Sequence, residues 1–146
     1  MQPSDWLQRG VEILAPVLTP CGFEFRAGEA DTGSGGPFAT GTFVRADRRL
    51  EVHFRWSLGL VSYHAAGHTV SHESFMAAVI GRRHASHYPG FSDDPLQAFR
   101  DLALDLRESA GVFLNGSDDE FRSVAVRAEQ IAVVRGLNAL SDPRAT

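Results

Sequence analysis

Leu50, Val52, Phe54 and Trp56 alternate with Glu51, His53 and Arg55 along residues 50–56. An apolar–polar period of two is the pattern of a β-strand with one face on a core and the other toward water. A single strand of this kind is not stable alone, because its polar backbone groups and its apolar face both need partners. The rest of the chain must therefore supply neighbouring strands and a layer to cover Leu50, Val52, Phe54 and Trp56.

The neighbours are legible on both sides. Residues 23–26 alternate Phe, Glu, Phe, Arg as a first short strand, and residues 31–37 (DTGSGGP) read as a flexible connection. Residues 38–45 form a second strand, less cleanly patterned at Thr40, Gly41 and Thr42. Residues 46–49 (ADRR) make a polar hairpin turn with Asp47 suited to it. After a turn at residues 57–59, a fourth strand spans residues 60–64 and ends at Ala66 and Gly67. Short links between successive strands favour an antiparallel meander.

Helices flank this sheet. In residues 4–18, Trp6, Leu7, Val11, Leu14 and Leu18 recur at three- and four-residue steps, with Ser4 as N-cap and Pro16 as a kink or stop. Ser71 caps a short helix over residues 73–80. Asp94, Pro95 and Gln97 open a longer helix that runs to about Phe113. Its stripe is Leu96, Phe99, Leu102, Ala103, Leu106, Ala110 and Phe113, and Arg100, Asp101, Asp105 and Arg107 cover the other side. Ser117 and Glu120 form a capping box for a last helix, which places Phe121, Val124, Ala128, Ile131, Ala132 and Val134 at helical spacing. The expected fold is a single α+β domain over residues 1–140. It has an N-terminal helix, a four-stranded antiparallel meander, and one short and two longer C-terminal helices on one sheet face. Residues 141–146 read as a flexible tail.

Composition narrows the function. All 14 positive residues are Arg, the net charge is −4, and no basic run occurs. Nucleic-acid binding is disfavoured, because phosphate contacts need clustered positive charge. The one cysteine, Cys21, excludes an internal disulfide and a multi-cysteine metal site. No basic segment followed by an apolar run begins the chain, and no apolar stretch approaches the ~20 residues of a membrane span. The expected location is cytoplasmic, without membrane association. No G-x-S-x-G elbow, phosphate-binding loop, dinucleotide fingerprint or H-E-x-x-H motif is present. Enzyme activity is therefore the less favoured class.

The histidines are the first candidates for chemistry. His64, His68 and His72 are spaced by four, and His84 and His87 by three. Four-residue spacing aligns imidazoles on a helix, as in zinc helices. Residues 61–63 are strand-like, however, and Gly67 interrupts the set. A metal site would need His64, His68, His72 and His87 to converge in space with Glu73, and zinc or another transition metal would suit that donor set. Otherwise these are surface and turn histidines, and no cofactor is implied.

The outward sheet face is the second candidate. Glu51, His53 and Arg55, with Glu24 and Arg26, form a polar surface suited to a protein partner, set against the plainer reading of a solvated face. The third is residues 82–91 (RRHASHYPGF), where Arg82 and Arg83 could bind an anion or an acidic partner. There Tyr88 and Phe91 would anchor the loop to the core.

The segments APVLTPCGFEF, FVRADRRLEVHFRWSLGLVSYH, VSHESFM and YPGFSDDPLQAF together resemble small uncharacterised bacterial proteins, including toxin-neutralising immunity-like proteins. The likeness covers about the first two thirds of the chain and implies no catalytic residues. The leading expectation is a non-catalytic protein-binding domain of the immunity-inhibitor type. The alternatives are a histidine-dependent metal-binding protein or metalloenzyme, and a small-ligand binding domain with its pocket between the sheet and the last helices. Oligomeric state is left open, since the last helix could serve a dimer as well as a monomer core.

Overall fold

Phe25, Phe43, Leu50, Tyr63 and Val70 stand opposite one another in a row that crosses five strands. The computed structural model describes residues 2–33, 36–81 and 86–141, with side chains for all of these except 31–33 and 135–141. The strands are β1 (Glu24–Gly33), β2 (Gly36–Arg45), β3 (Arg48–Phe54), β4 (Leu58–Ala65) and β5 (His68–Ser71), in the order β1-β2-β3-β4-β5. Every pair is antiparallel. The helices are α1 (Pro3–Leu18), α2 (His72–Ile80), α3 (Gln97–Ser109), the short α4 (Gly111–Leu114) and α5 (Asp118–Ser141).

The meander thus has five strands, not four. Ala66 and Gly67 do not merely end the fourth strand. Both have positive φ, +52° and +78°, which is the two-residue type I′ turn that matches strand twist. The chain turns straight back, and Tyr63 faces Val70. β5 escapes a pattern search because it has four residues and a single buried apolar one, Val70. Ser71 then caps α2 by accepting the Ser74 N–H at 3.2 Å.

The expected first strand is also short of the real one. β1 and β2 run on as a ribbon, with a bulge at residues 28–29, past the end of β3 at the Ala39–Phe54 pair. Of the glycine-rich connection, residues 31–33 and 36–37 belong to these strands, and residues 34–35 lie outside the described residues. Gly41, which blurs the pattern of β2, is where the Phe25 ring crosses the sheet. A Cβ there would stand 2.5 Å from that ring.

Leu50, Val52 and Phe54 are fully buried, as the alternation requires, but Trp56 is 72% exposed. β3 ends at Phe54, and the chain turns with the Arg55 N–H donating to the Ser57 carbonyl at 3.2 Å. Alternation assigns faces only while the ladder lasts. Seven of the ten phenylalanines are fully buried, and the exceptions are Phe25, Phe38 and Phe91. Phe91 does not anchor its loop, because it is fully exposed; Tyr88 does so instead.

The hairpin at Ala46 and Asp47 is less polar in its setting than its sequence. Arg48 is buried and Arg45 half-buried. Arg48 donates through Nη1 to the Val112 and Phe113 carbonyls at 3.1 and 2.6 Å, and through Nη2 to Asp118 at 3.1 Å. Arg45 donates to the Cys21 and Leu114 carbonyls, each at 2.6 Å, and lies over the Phe23 ring. Val112 also accepts the Gly116 N–H, but Cys21, Phe113 and Leu114 carry carbonyls at helix ends, which would cost about 1–3 kcal/mol each if buried without a partner.

In α1 the cap is not Ser4. The helix begins at Pro3, and the Asp5 carboxylate accepts the Gln2 N–H at 3.0 Å. Pro16 is carried within α1, which continues to Leu18. The long helix expected to reach Phe113 breaks at Ala110 into α3 and α4. Its apolar stripe is buried as expected, apart from half-buried Leu96, yet Asp105 on the supposedly polar side is buried too. The Ser117 and Glu120 capping box at α5 is present, with both reciprocal bonds formed at 3.1 and 3.2 Å. On α5, Ile131 is half-buried, and Ala132 and Val134, expected on the buried face, are exposed. Among the described residues, no helix is long and apolar enough to cross a membrane.

Candidate functional site

The histidines separate. His64 binds Glu51 (Nε2 to Oε2, 3.1 Å) and Thr69 (Nδ1 to Oγ1, 2.9 Å) on the outward face. His68 meets Glu129 of α5 at 3.4 Å. His87 meets Glu108 of α3 at 3.0 Å. That hydrogen bond holds the His87 imidazole above its ordinary pKa. His72 is directed inward to Asp105. Glu73 is exposed in the first turn of α2. Four imidazoles thus engage four different carboxylates. Among the described residues, no three His, Cys, Asp or Glu side chains are grouped to hold a metal ion. The structure does not bring His64, His68, His72, Glu73 and His87 together.

The inward-facing pair belongs to a buried network that the sequence does not reveal. The Asp105 carboxylate can only accept. It receives His72 Nε2–H at 2.9 Å, the His87 N–H at 2.7 Å and the Tyr88 N–H at 2.9 Å. With Nε2 protonated, His72 Nδ1 accepts the Tyr63 hydroxyl at 2.6 Å. Burial alone would raise the Asp105 carboxyl. The bonds from His72 and the two backbone amides outweigh it and hold that carboxyl below the usual range. Burial first, and then the Asp105 charge, push the Tyr63 phenol well above its ordinary value.

Hydroxyl, imidazole and carboxylate in a row is also the order of a catalytic triad. Accessibility decides between the two readings. Tyr63, His72 and Asp105 are all buried, and Tyr63 is sealed between the rings of Phe75 (4.5 Å) and Phe113 (4.9 Å). A nucleophile that no substrate can touch does no chemistry. The network instead fixes the path of the chain at residues 87–88.

That path forms one wall of a cleft of about 310 Å³. The other wall is the turn after β3, with Trp56, Ser57 and Leu58, and the floor includes Ala98 and Asp101 of α3. Tyr88 ties the walls together, donating from its hydroxyl to the Leu58 carbonyl at 2.8 Å and to that of Gly59. Burial pushes its phenol up to about 12. Trp56 and Phe91 flank the opening. Asp94 sits at the rim, its carboxyl lowered by the Leu96 N–H and then by Arg100.

Beside the cleft, the outward face is aromatic as well as polar. His53 stacks on Phe38 with ring centroids 5.4 Å apart. Arg55 lies 5.7 Å from the Phe38 ring centre and 5.6 Å from that of Trp56, and it donates to the Gly36 carbonyl at 3.0 Å. Leu60 is 67% exposed. Of the partner-binding candidates, His53 and Arg55 therefore share one surface, while Glu51 is engaged with His64 further along β3. Arg82 and Arg83 lie outside the described residues. Sequence alone places Trp56 and Phe91 in the core, and the structure exposes both. The usable signal was position, since each large apolar residue stands beside a chain reversal, Ser57 to Gly59 in one case and Pro89 and Gly90 in the other. Set against family models, curated proteins and solved structures, the chain matches none.

Proposed function

We propose that the chain is a non-catalytic protein-binding domain that docks its partner at the end of the sheet carrying Trp56, Leu60 and Phe91. The observation behind this reading is the exposure of Trp56 and Phe91 at one cleft, with exposed Leu60 nearby on β4, in a fold that buries seven of its ten phenylalanines completely. Single exposed apolar residues are ordinary, but a group with an adjacent Arg and a preformed cleft has the make-up of an interface core. Neutralisation of a bacterial toxin is the form of binding suggested by the resemblance in residues 15–25 and 43–64. The interior between sheet and helices favours docking at the surface over a buried ligand, since Phe54, Phe99, Phe113 and Phe121 fill it.

Site-specific photo-crosslinking in the producing cell tests this. A benzophenone side chain in place of Phe91 is expected to yield one discrete protein adduct, while the same group in place of exposed Gln130 on α5 yields none. An adduct from position 130 and none from position 91 would overturn the reading.

A further inference from the structure

We infer that the cleft between Trp56 and Phe91 receives the cationic end of an arginine or lysine side chain presented by a protein partner. This rests on the docking reading above and adds the chemistry of what enters. Charge is the first support. Among the described residues, every charged side chain lining the cleft is an aspartate: Asp93, Asp94 and Asp101. Among the described residues, the nearby cations Arg100 and Arg55 are already engaged, with Asp94 at 3.0 Å and with the Gly36 carbonyl.

The carboxylates are not equivalent. Asp94 is occupied on both oxygens, by the Leu96 N–H and by Arg100. Asp101 accepts from Gln97 Nε2 on Oδ1 at 3.0 Å. Its Oδ2 faces Gly90, where a Cβ would stand 3.0 Å away. The absence of a side chain at Gly90 leaves room at that oxygen. Asp101 Oδ2 and exposed Asp93 are therefore the two acceptors offered to an incoming cation.

The aromatic flanks are the second support. A guanidinium or ammonium is attracted to the face of an indole or phenyl ring as well as to a carboxylate. The same chemistry already operates within the chain, where Arg55 lies over Trp56. The third support is rigidity. Tyr88 joins both walls and is itself held by Asp105, so little ordering is left for binding to supply.

The test is a nuclear magnetic resonance titration of the full chain with acetyl-Gly-Arg-Gly-amide, paralleled by the peptide with neutral, isosteric citrulline. The arginine peptide at millimolar concentration is expected to move the Trp56 indole N–H and the Phe91 and Asp93 amides, and the citrulline peptide is not. The double variant Asp93→Asn, Asp101→Asn is expected to bind the arginine peptide about tenfold more weakly, the worth of two exposed charge pairs. Its unchanged resonances elsewhere would show that it still folds. Equal shifts with citrulline would overturn the charge argument while leaving the docking surface intact. Shifts confined to other regions, or none at all, would also overturn it. So would movement of the same resonances on dilution of the protein alone, which would make a second copy of this chain the occupant.

Discussion

His72 Nε2 and Asp105 Oδ2 lie 2.9 Å apart inside the core, joining the first turn of α2 to the middle of α3 across 33 residues of chain. Residues 87 and 88, between these helices in the chain, lie against the pair, and both of their amides end on the same carboxylate. One side chain thus sets the spacing of two helices and the course of the segment that walls the cleft.

Asp105→Asn keeps the shape but presents an amide N–H₂ or a weaker acceptor to three donors. The expected loss is about 3 kcal/mol of unfolding free energy, as for breaking a buried charged hydrogen-bond network. Urea denaturation measures it, and a loss under half a kcal/mol, on the order of a surface substitution, would refute the assignment. The sign with pH follows from the lowered carboxyl of Asp105. Its contribution is fully present above the unfolded value of about 3.9 and is lost as pH falls through the lower folded value. The wild type should therefore lose stability in acid more steeply than Asp105→Asn.

The chain's two tyrosines, Tyr63 and Tyr88, are both buried and both raised, Tyr88 to about 12. A raised folded value gives stability that is complete below the unfolded pKa of about 10 and lost as pH rises through the folded value. Phenolate absorbance should therefore stay absent at pH 10, where an exposed tyrosine is half ionised. It should appear only with unfolding, judged by circular dichroism in the same samples. Ionisation of about a quarter of the total phenol at pH 10 in the folded protein would contradict the burial of one tyrosine, and of about half the burial of both.

Arg48 and Asp118 form an ion pair whose two ends differ in worth. The Arg48 side chain is 5% exposed and that of Asp118 is 53% exposed. Arg48→Met strands the buried Phe113 carbonyl, while that of Val112 keeps the Gly116 N–H, and should cost about 2 kcal/mol. Asp118→Asn removes only a solvent-screened partner and should cost less than about 1 kcal/mol. Equal losses in thermal or chemical unfolding would show that the ion pair, not the carbonyl contacts, holds this corner.

Ala66 occupies the left-handed region in the turn between β4 and β5. Asn is at ease there and forms the favoured Asn-Gly pair with Gly67. Ala66→Asn should stabilise the protein by about 0.5–1 kcal/mol, relieving part of the left-handed strain of about 1–2 kcal/mol. A lowered denaturation midpoint would argue against the five-stranded register.

Local sequence determined the elements whose stabilising partners are near in the chain. The alternation of Leu50, Val52 and Phe54 marked β3. The Ser71 cap marked the start of α2, the Ser117 and Glu120 box that of α5, and the three- and four-residue steps marked the buried stripes of α1 and α3. Each signal depends on strand or helix geometry within a few residues, so the chain carries it whatever the fold. Tertiary structure alone decided what depends on distant partners. Asp105 looks like any solvated helix carboxylate until His72 and two amides of the 87–88 segment arrive. Arg48 looks like a turn residue until the end of α4 is placed above it. His64, His68 and His72 share a helical spacing but sit on β4, β5 and α2, so their imidazoles are carried to different carboxylates. Trp56 continues the parity of a strand that has already ended. Its exposure follows from the turn after β3, and the cleft beside it exists because Tyr88 bonds across to that turn from 30 residues away.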